Sequence, residues 1–488
     1  MPLPDLIEIV PLDKPVHAEI TVPGSKSITN RALVLAALAD GEVTLEGALW
    51  SEDTQVMVDC LQRLGFEVRV EPEPNEFCNR MITVRGRGGK IPNAGTAETP
   101  LELFVGNAGT AARFLSAMVC LGRGVYRLSG VPRMHERPQA ALFSALRELG
   151  YRVDSPTDTL PAATHGTGPR AGKCHVSIKH SSQFASALLL CAERGDWQIE
   201  VVGENAEESP YVAMTTEMIK VFPKRGGKFQ IEPDASSGSY FWAAGLLATL
   251  VPISPAEKKG PFVTTWYPTS PVPLPVQVRS WPASDWQIDA DFTSFLGFLT
   301  DYQPLNAEEI EAAEANYAAQ HGPTWRQRVK REYEEWDAVQ LVQELSRSND
   351  LGDSIMTAVV TAALGARRVR FSDLGRLRVQ ETERVVALRT ELTKCGAKVI
   401  ETGDTLEVFP SKLHGAEIET YNDHRMAMCF AVLGLKVPGI KLRNPSCVKK
   451  TFPNFFQKLA AAPPHGLGAK ILDARTGRKL SHDELFAE

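Results

Sequence analysis

The chain is 488 residues long, more than one hydrophobic core accommodates, so two domains are expected. Its 43% hydrophobic and 23% charged content is that of a soluble globular protein, and a formal net charge of −6 excludes a general nucleic-acid binder, which needs a basic surplus. Its eight scattered cysteines form no Cys-x-x-Cys pair, residues 1–23 show no basic stretch leading into an apolar core, and no apolar run approaches the ~20 residues that span a bilayer. The reading is a cytoplasmic protein with free, buried thiols and no membrane association.

In chain order, six loops of small or polar residues open into apolar, helix-like runs, and three of the loops carry Lys or Arg beside their caps. The first loop, 24–31, holds Gly24, Ser25, Lys26, Ser27, Asn30 and Arg31; after it come a helix over 32–38, a strand over 43–47, a helix over 53–64 and a strand over 66–68. The second loop, 106–113, holds Gly106, Asn107, Gly109 and Arg113 and repeats the order with 114–121, 125–130, 140–149 and 151–153. Ser181, Ser182 and Gln183 precede a helix over 187–192, and Asp234, Ser236 and Ser237 precede one over 241–250. Asp353 and Ser354 introduce 358–364, 369–371, 382–394 and 398–400, and Asn422, Asp423, His424 and Arg425 introduce 430–435.

The first helix of each copy is apolar nearly all round, the mark of a buried helix, whereas the second is amphipathic and is expected to face solvent. Loops of this kind place unpaired N–H groups and the positive end of a helix dipole together, so a chain that repeats them is built around anions. Long units of alternating helices and strands point to α/β layers rather than a solenoid. Three copies about a shared axis would bury the first helices and leave the sheets outside, and two such groups make two similar domains.

One tract breaks the pattern. Seven prolines between Pro252 and Pro275, which cannot donate in a central ladder, and five of the eight tryptophans mark 251–350 as a decorated repeat carrying an insertion. Helices are expected over 307–319 and 325–346, with charge pairs suited to a solvated surface.

Seven motifs occur in order: Gly24 to Ser27 with Asn30 and Arg31; Gly106 to Thr110 with Arg113; Arg133 to Pro138; Asp234 to Ser237; Glu381 to Arg384; Asn422 to Arg425; and Lys450 to Pro453. Together they resemble the enolpyruvyl transferases, most closely the EPSP synthase family, over about 15–460 apart from the insertion. The resemblance implies two domains, each of three βαβαββ repeats with buried inner helices and outer sheets, an inside-out α/β barrel. One domain would be 25–234, the other 1–24 with 235–460, and 461–488 a tail that is either a partly ordered strand pair or a flexible end.

The implied reaction moves the enolpyruvyl group of phosphoenolpyruvate to the 5-hydroxyl of shikimate 3-phosphate. It needs a proton for C3, a base for the attacking hydroxyl and cations for about three negative charges. Converging arginines and lysines meet the last need, so neither metal nor cofactor is expected. The resemblance makes Lys26, Arg137, Arg384, Arg425 and Lys450 the phosphoenolpyruvate cations, with Gly109 allowing close backbone approach and Gln183 a polar contact. Asp353 matches the base; Glu381 and Lys450, with Lys26, match the groups that deliver the proton. Lys26, Ser27, Arg31, Ser181, Ser182, Gln183, Tyr211, Asp353, Arg376 and Gln380 would meet shikimate 3-phosphate, and the enzyme is expected as a monomer. Glyphosate, a phosphonate, is expected to compete with phosphoenolpyruvate.

Several positions depart from the pattern. Arg376 and Gln380 stand where the family has Asn and Lys, so amide and cation have exchanged places; Phe114 replaces a Pro, and Glu208 a Ser, with Ser209 beside it. His424 reads as a hydrogen-bonded structural histidine. Other readings are an enolpyruvyl transferase acting on UDP-N-acetylglucosamine, one acting on a different acceptor such as a cyclitol, and an inactive scaffold. The first is disfavoured by the absence of a Cys in the loop 132–138. A cleft lined by mutually repelling cations is expected to close when its anions bind.

Overall fold

Six buried helices begin at or near the loops that the sequence marks: Lys26–Leu38, Gly109–Met118, Gln183–Gly195, Ala235–Thr249, Ile355–Ala362 and His424–Gly434. The computed structural model describes residues 3–14, 16–203, 209–249, 274–299, 343–365 and 368–487. All residues of Gly109–Met118, Ile355–Ala362 and His424–Gly434 are buried. Their hydroxyls survive burial by bonding back to the preceding turn, Ser116 Oγ to Ala112 O at 2.7 Å and Thr361 Oγ1 to Thr357 O at 2.7 Å. The outer helices are amphipathic. Glu52–Arg63 starts with a Ser51/Thr54 capping box and buries Met57, Val58, Cys60 and Leu61.

The strands form six sheets among the described residues, and four of them share one pattern. Gly227–Gln230 pairs parallel with Glu42–Leu49, which pairs antiparallel with Asn79–Arg85, which pairs antiparallel with Val68–Pro72. The same order recurs in Leu101–Phe104, Arg123–Ser129, Ala162–Thr167 and Arg152–Asp154, and in Gln343–Ser346, Val369–Ser372, Thr405–Phe409 and Lys398–Thr402. It recurs again in Glu417–Glu419, Ile440–Arg443, Leu6–Ile9 and Ile471–Asp473. Two parallel pairs complete the set, Gly172–Ser177 with Trp197–Val202 and Val276–Val278 with Ala18–Ile20.

Two apolar cores result. One gathers buried residues from Ile28 to Ile231. The other gathers Leu3 to Val22 with Tyr240 to Ala487. The chain crosses between these lobes twice, side by side: Ser25 N donates to Glu232 O and Asp234 N to Pro23 O, both at 2.8 Å. Gly24 is required here, since a Cβ would collide with the Gly47 carbonyl. Beside the crossings a polar knot joins the lobes. Glu76, buried in the first, accepts from Thr21 Oγ1 (2.6 Å), Lys458 Nζ (2.7 Å) and Asn454 Nδ2 (2.9 Å).

Two expectations are corrected, and the alternative left open for the tail is decided. Part of 251–350 is no solvated decoration: Val276, Val278, Phe292 and Leu296 lie in the second core, and Val276–Val278 completes the parallel pair with Ala18–Ile20. Residues 343–346 are a strand paired with Val369–Ser372 rather than the end of a helix, because register with a buried neighbour outweighs local helical composition. The helix over 307–319 and the rest of that over 325–346 lie outside the described residues. The segment after 460 is no flexible end, since Ile471–Asp473 extends a sheet and Leu467, Leu480 and Leu485 are buried in the second core.

Candidate active site

Between the lobes lies a cleft lined by Lys26, Ser27, Arg31, Arg137, Ser181, Ser182, Gln183, Tyr211, Asp353, Arg376, Gln380, Glu381, Arg384 and Arg425. Lys450 reaches it from behind Glu381, and Gly109 underlies two of its guanidiniums. Residues that are hundreds of positions apart meet here because the inner helices of both lobes point their N-termini at one space.

Two carboxylates, Glu381 with its side chain 9% exposed and Asp353 with its side chain 17% exposed, organise the cations. Glu381 Oε1 lies 3.0 Å from Lys450 Nζ and its Oε2 lies 2.9 Å from Arg384 Nη2. Burial alone would raise its pKa, but Lys450, Arg384, Arg137 and Lys26 outweigh desolvation and hold the carboxyl well below the usual range. Asp353 Oδ1 lies 2.7 Å from Arg347 Nη2 and its Oδ2 lies 3.2 Å from Arg425 Nη2. Against burial, Arg425, Arg347 and Arg384 hold it too well below the carboxylate range. Its oxygens serve these guanidiniums, so Asp353 is no plain helix cap.

Arg384 is fixed by Asp423, with Nε to Oδ2 at 2.7 Å, and its Nη1 also donates to Gln380 Oε1. Arg425 donates to Ser236 Oγ at 3.1 Å. Arg137 Nη1 donates to Asn107 O at 3.1 Å while its buried Nε has no partner. Gly109 explains the packing of this corner: a Cβ there would lie 2.6 Å from Arg137 Nη2 and closer still to Arg113 Nη1. Lys26 Nζ pairs with the buried Asp53 at 3.1 Å. Lys450 Nζ also donates across the cleft to Asn107 O at 3.2 Å.

Arg31 behaves differently. Its donors go to Thr215 Oγ1 (2.7 Å), Ser27 O (3.0 Å) and Ser186 Oγ (2.9 Å), and it stacks 5.3 Å from the Phe114 ring. Burial lowers its pKa to about 10. Ser27 and Arg31 thus form one turn, and Phe114 is the floor under it. Burial likewise pushes the Tyr211 phenol well above its usual range. Glu208 lies outside the described residues, while Ser209 is buried with its hydroxyl unpartnered.

Four cleft residues had no role assigned from sequence. Arg113 sits in a recognised motif; its Nη1 donates to Gln183 Oε1 at 3.4 Å, and burial and Arg137 lower its pKa well below the usual range. Asp289 accepts from Ser354 N at 2.6 Å, and burial, reinforced by Asp353, raises its pKa to about 7. It was hidden by its position inside the proline-rich tract. Arg347 carries no sequence signal, because only its turn brings it to Asp353. His424 is buried with neither ring nitrogen hydrogen-bonded, contrary to expectation, and burial with the charges of Lys26 and Arg425 keeps it neutral.

Comparison with known proteins agrees with this geometry. The family model described as EPSP synthase (3-phosphoshikimate 1-carboxyvinyltransferase) matches residues 11–225 and 314–459. A 3-phosphoshikimate 1-carboxyvinyltransferase of Nostoc sp. is 36% identical over 476 residues, covering 93% of this chain and 98% of the relative. One from Opitutus terrae is 35% identical over 489 residues, covering 94% and 98%. Among solved structures, EPSP synthase from Acinetobacter baumannii superposes with a TM-score of 0.59 at 20% identity, covering 96% of this chain and 99% of that one. An enolpyruvyl transferase from Streptomyces tendae gives 0.59 at 15% identity, covering 97% and 98%. The chain belongs to the EPSP synthase family.

Proposed function

We propose that this chain transfers the enolpyruvyl group of phosphoenolpyruvate to the 5-hydroxyl of shikimate 3-phosphate, releasing phosphate. The observation that carries the reading, together with family membership, is the pair of carboxylates, Glu381 and Asp353, each held between two cations and lining one cleft. Arg137, Arg384, Arg425, Lys26 and Lys450 take the phosphoenolpyruvate charges, with Gly109 and Gln183 shaping that end. Ser27, Ser181, Ser182, Tyr211 and Arg376 take the acceptor. Arg31 supports Ser27 from beneath, and Gln380 supports Arg384.

Glu381, held well below the usual carboxylate range, is a poor acid at neutral pH. The ammonium of Lys450, 3.0 Å from it, is the better donor to C3, with Glu381 as its counter-ion. As C3 takes that proton, the hydroxyl oxygen bonds to C2 and becomes strongly acidic, so its proton passes to Asp353 although the guanidiniums hold that carboxylate a weak base. The tetrahedral adduct then loses phosphate, which leaves with the proton that Asp353 took from the hydroxyl, as a proton leaves C3 for the Lys450–Glu381 pair. One chain supplies every group, which supports a monomer; the free, buried state of all eight cysteines supports a cytoplasmic setting.

The test is phosphate release from phosphoenolpyruvate with shikimate 3-phosphate in one reaction and UDP-N-acetylglucosamine in another. Release with the first alone is expected. Release with the second alone would sink the acceptor assignment.

A further inference from the structure

We propose that Arg347 is the cation with which this chain grips the acceptor's phosphate, making it a specificity-determining residue; this rests on the acceptor reading above. The starting point is a shortage. Gln380, at a position where the family pattern has Lys, gives its side-chain oxygen to Arg384 and brings no charge to the acceptor end. Arg376 brings one guanidinium, whose Nη2 donates to Ile178 O at 2.8 Å.

A second guanidinium comes from a different element. Arg347 opens a π-helical turn, Arg347–Leu351, set by Ser346 Oγ accepting from Asn349 N at 3.1 Å and Asp350 Oδ2 accepting from Ser346 N at 2.7 Å. The turn delivers Arg347 into the cleft, where its side chain is 6% exposed. Its Nη2 holds Asp353 Oδ1 at 2.7 Å, and its Nε is buried without a partner. It stands close enough to Arg376 for its charge to join burial in lowering that residue's pKa.

Arg347 and Arg425 therefore share the one carboxylate of Asp353, and the half-buried guanidinium of Arg376 stands nearby on a backbone carbonyl. The surplus charge and the idle Nε suit a dianion with several acceptor oxygens, as in a phosphate monoester. Bound there, the phosphate would be tied through a single side chain to the base, fixing the distance from the acceptor's charged group to the hydroxyl that loses its proton.

The experiment compares the unaltered chain with Arg347→Gln and Arg347→Lys. It measures KM and kcat for phosphoenolpyruvate, for shikimate 3-phosphate and for unphosphorylated shikimate, and titrates shikimate 3-phosphate calorimetrically without phosphoenolpyruvate. Arg347→Gln is expected to weaken shikimate 3-phosphate by about 10–100-fold in both KM and direct binding. Preference for the phosphorylated acceptor is expected to fall by a similar factor, phosphoenolpyruvate KM to stay within about twofold, and Arg347→Lys to recover part of the loss. A fall in kcat alone, with acceptor binding and preference unchanged, would overturn the proposal and leave Arg347 as a prop for Asp353. An unaltered chain inactive with shikimate 3-phosphate would overturn the acceptor reading, and this inference with it.

Discussion

Asp289 and Asp353 both lie near Ser354, the first buried and the second with its side chain 17% exposed, yet their environments push them in opposite directions. Asp353 has guanidiniums on both oxygens; Asp289 has one backbone N–H and the negative charge of its neighbour. The sign follows from linkage. A carboxyl raised from about 4 in the unfolded chain binds extra protons when folded, so its contribution to stability falls as pH rises from there to about 7. Asp353, held down, contributes stability above that unfolded value and loses it as pH falls below. Asp289→Asn keeps an acceptor for Ser354 N and cannot ionise. Its Tm relative to the unaltered chain is therefore expected to rise between pH 5 and pH 8, measured by thermal melts across that range. A difference that stays flat would show that Asp289 is not held neutral.

At the scale of an element, the start of Gly109–Met118 shows how a helix N-terminus becomes an anion site. Its N-cap, Ala108, offers no side-chain oxygen, so the first N–H groups stay available, and Gly109 lets two guanidiniums lie against the backbone. Gly109→Ala displaces the far ends of flexible side chains rather than backbone. Folding is expected to survive while phosphoenolpyruvate KM rises about 10-fold, read by steady-state kinetics with the acceptor saturating. Such loops were legible in the sequence because small residues and caps are local signals, and Lys26 and Arg425 lie in the first turns of helices that those signals mark, whereas Glu381 and Arg384 came from the family resemblance. Arg347 was not legible, since its place depends on a π-helical turn and a partner strand. Residues 343–346 were misread for the same reason: their pairing with Val369–Ser372 is decided outside the segment. Asp289 was passed over because prolines nearby argued against a buried element, yet Phe292 and Leu296 anchor that stretch in the core.

Across the whole molecule, the lobes meet at a knot as well as a cleft. Glu76 is buried at the junction, and Lys458 is its cationic partner, at 2.7 Å. Lys458→Met would leave that carboxylate with neutral donors, Thr21, Asn454 and the Cys78 N–H, and no cation. The expected cost is about 3 kcal/mol in urea unfolding, because an uncompensated buried charge is more damaging than the loss of a pair. An unchanged midpoint would mean that water reaches Glu76. The rim of the cleft is bridged more lightly, by Arg133 Nη2 to Gln380 O at 3.0 Å and Arg376 Nη2 to Ile178 O at 2.8 Å.

The placing of Leu6–Ile9 between Ile440–Arg443 and Ile471–Asp473 bears on how the protein is made. During synthesis the first lobe holds all its own strands once Gly227–Gln230 has emerged, and it can collapse while the ribosome is still working. The second lobe is incomplete until the strands on both sides of Leu6–Ile9 exist. The earliest of the described strands is therefore among the last to find its sheet, and its edges stay unpaired until the strands near the far end of the chain are translated.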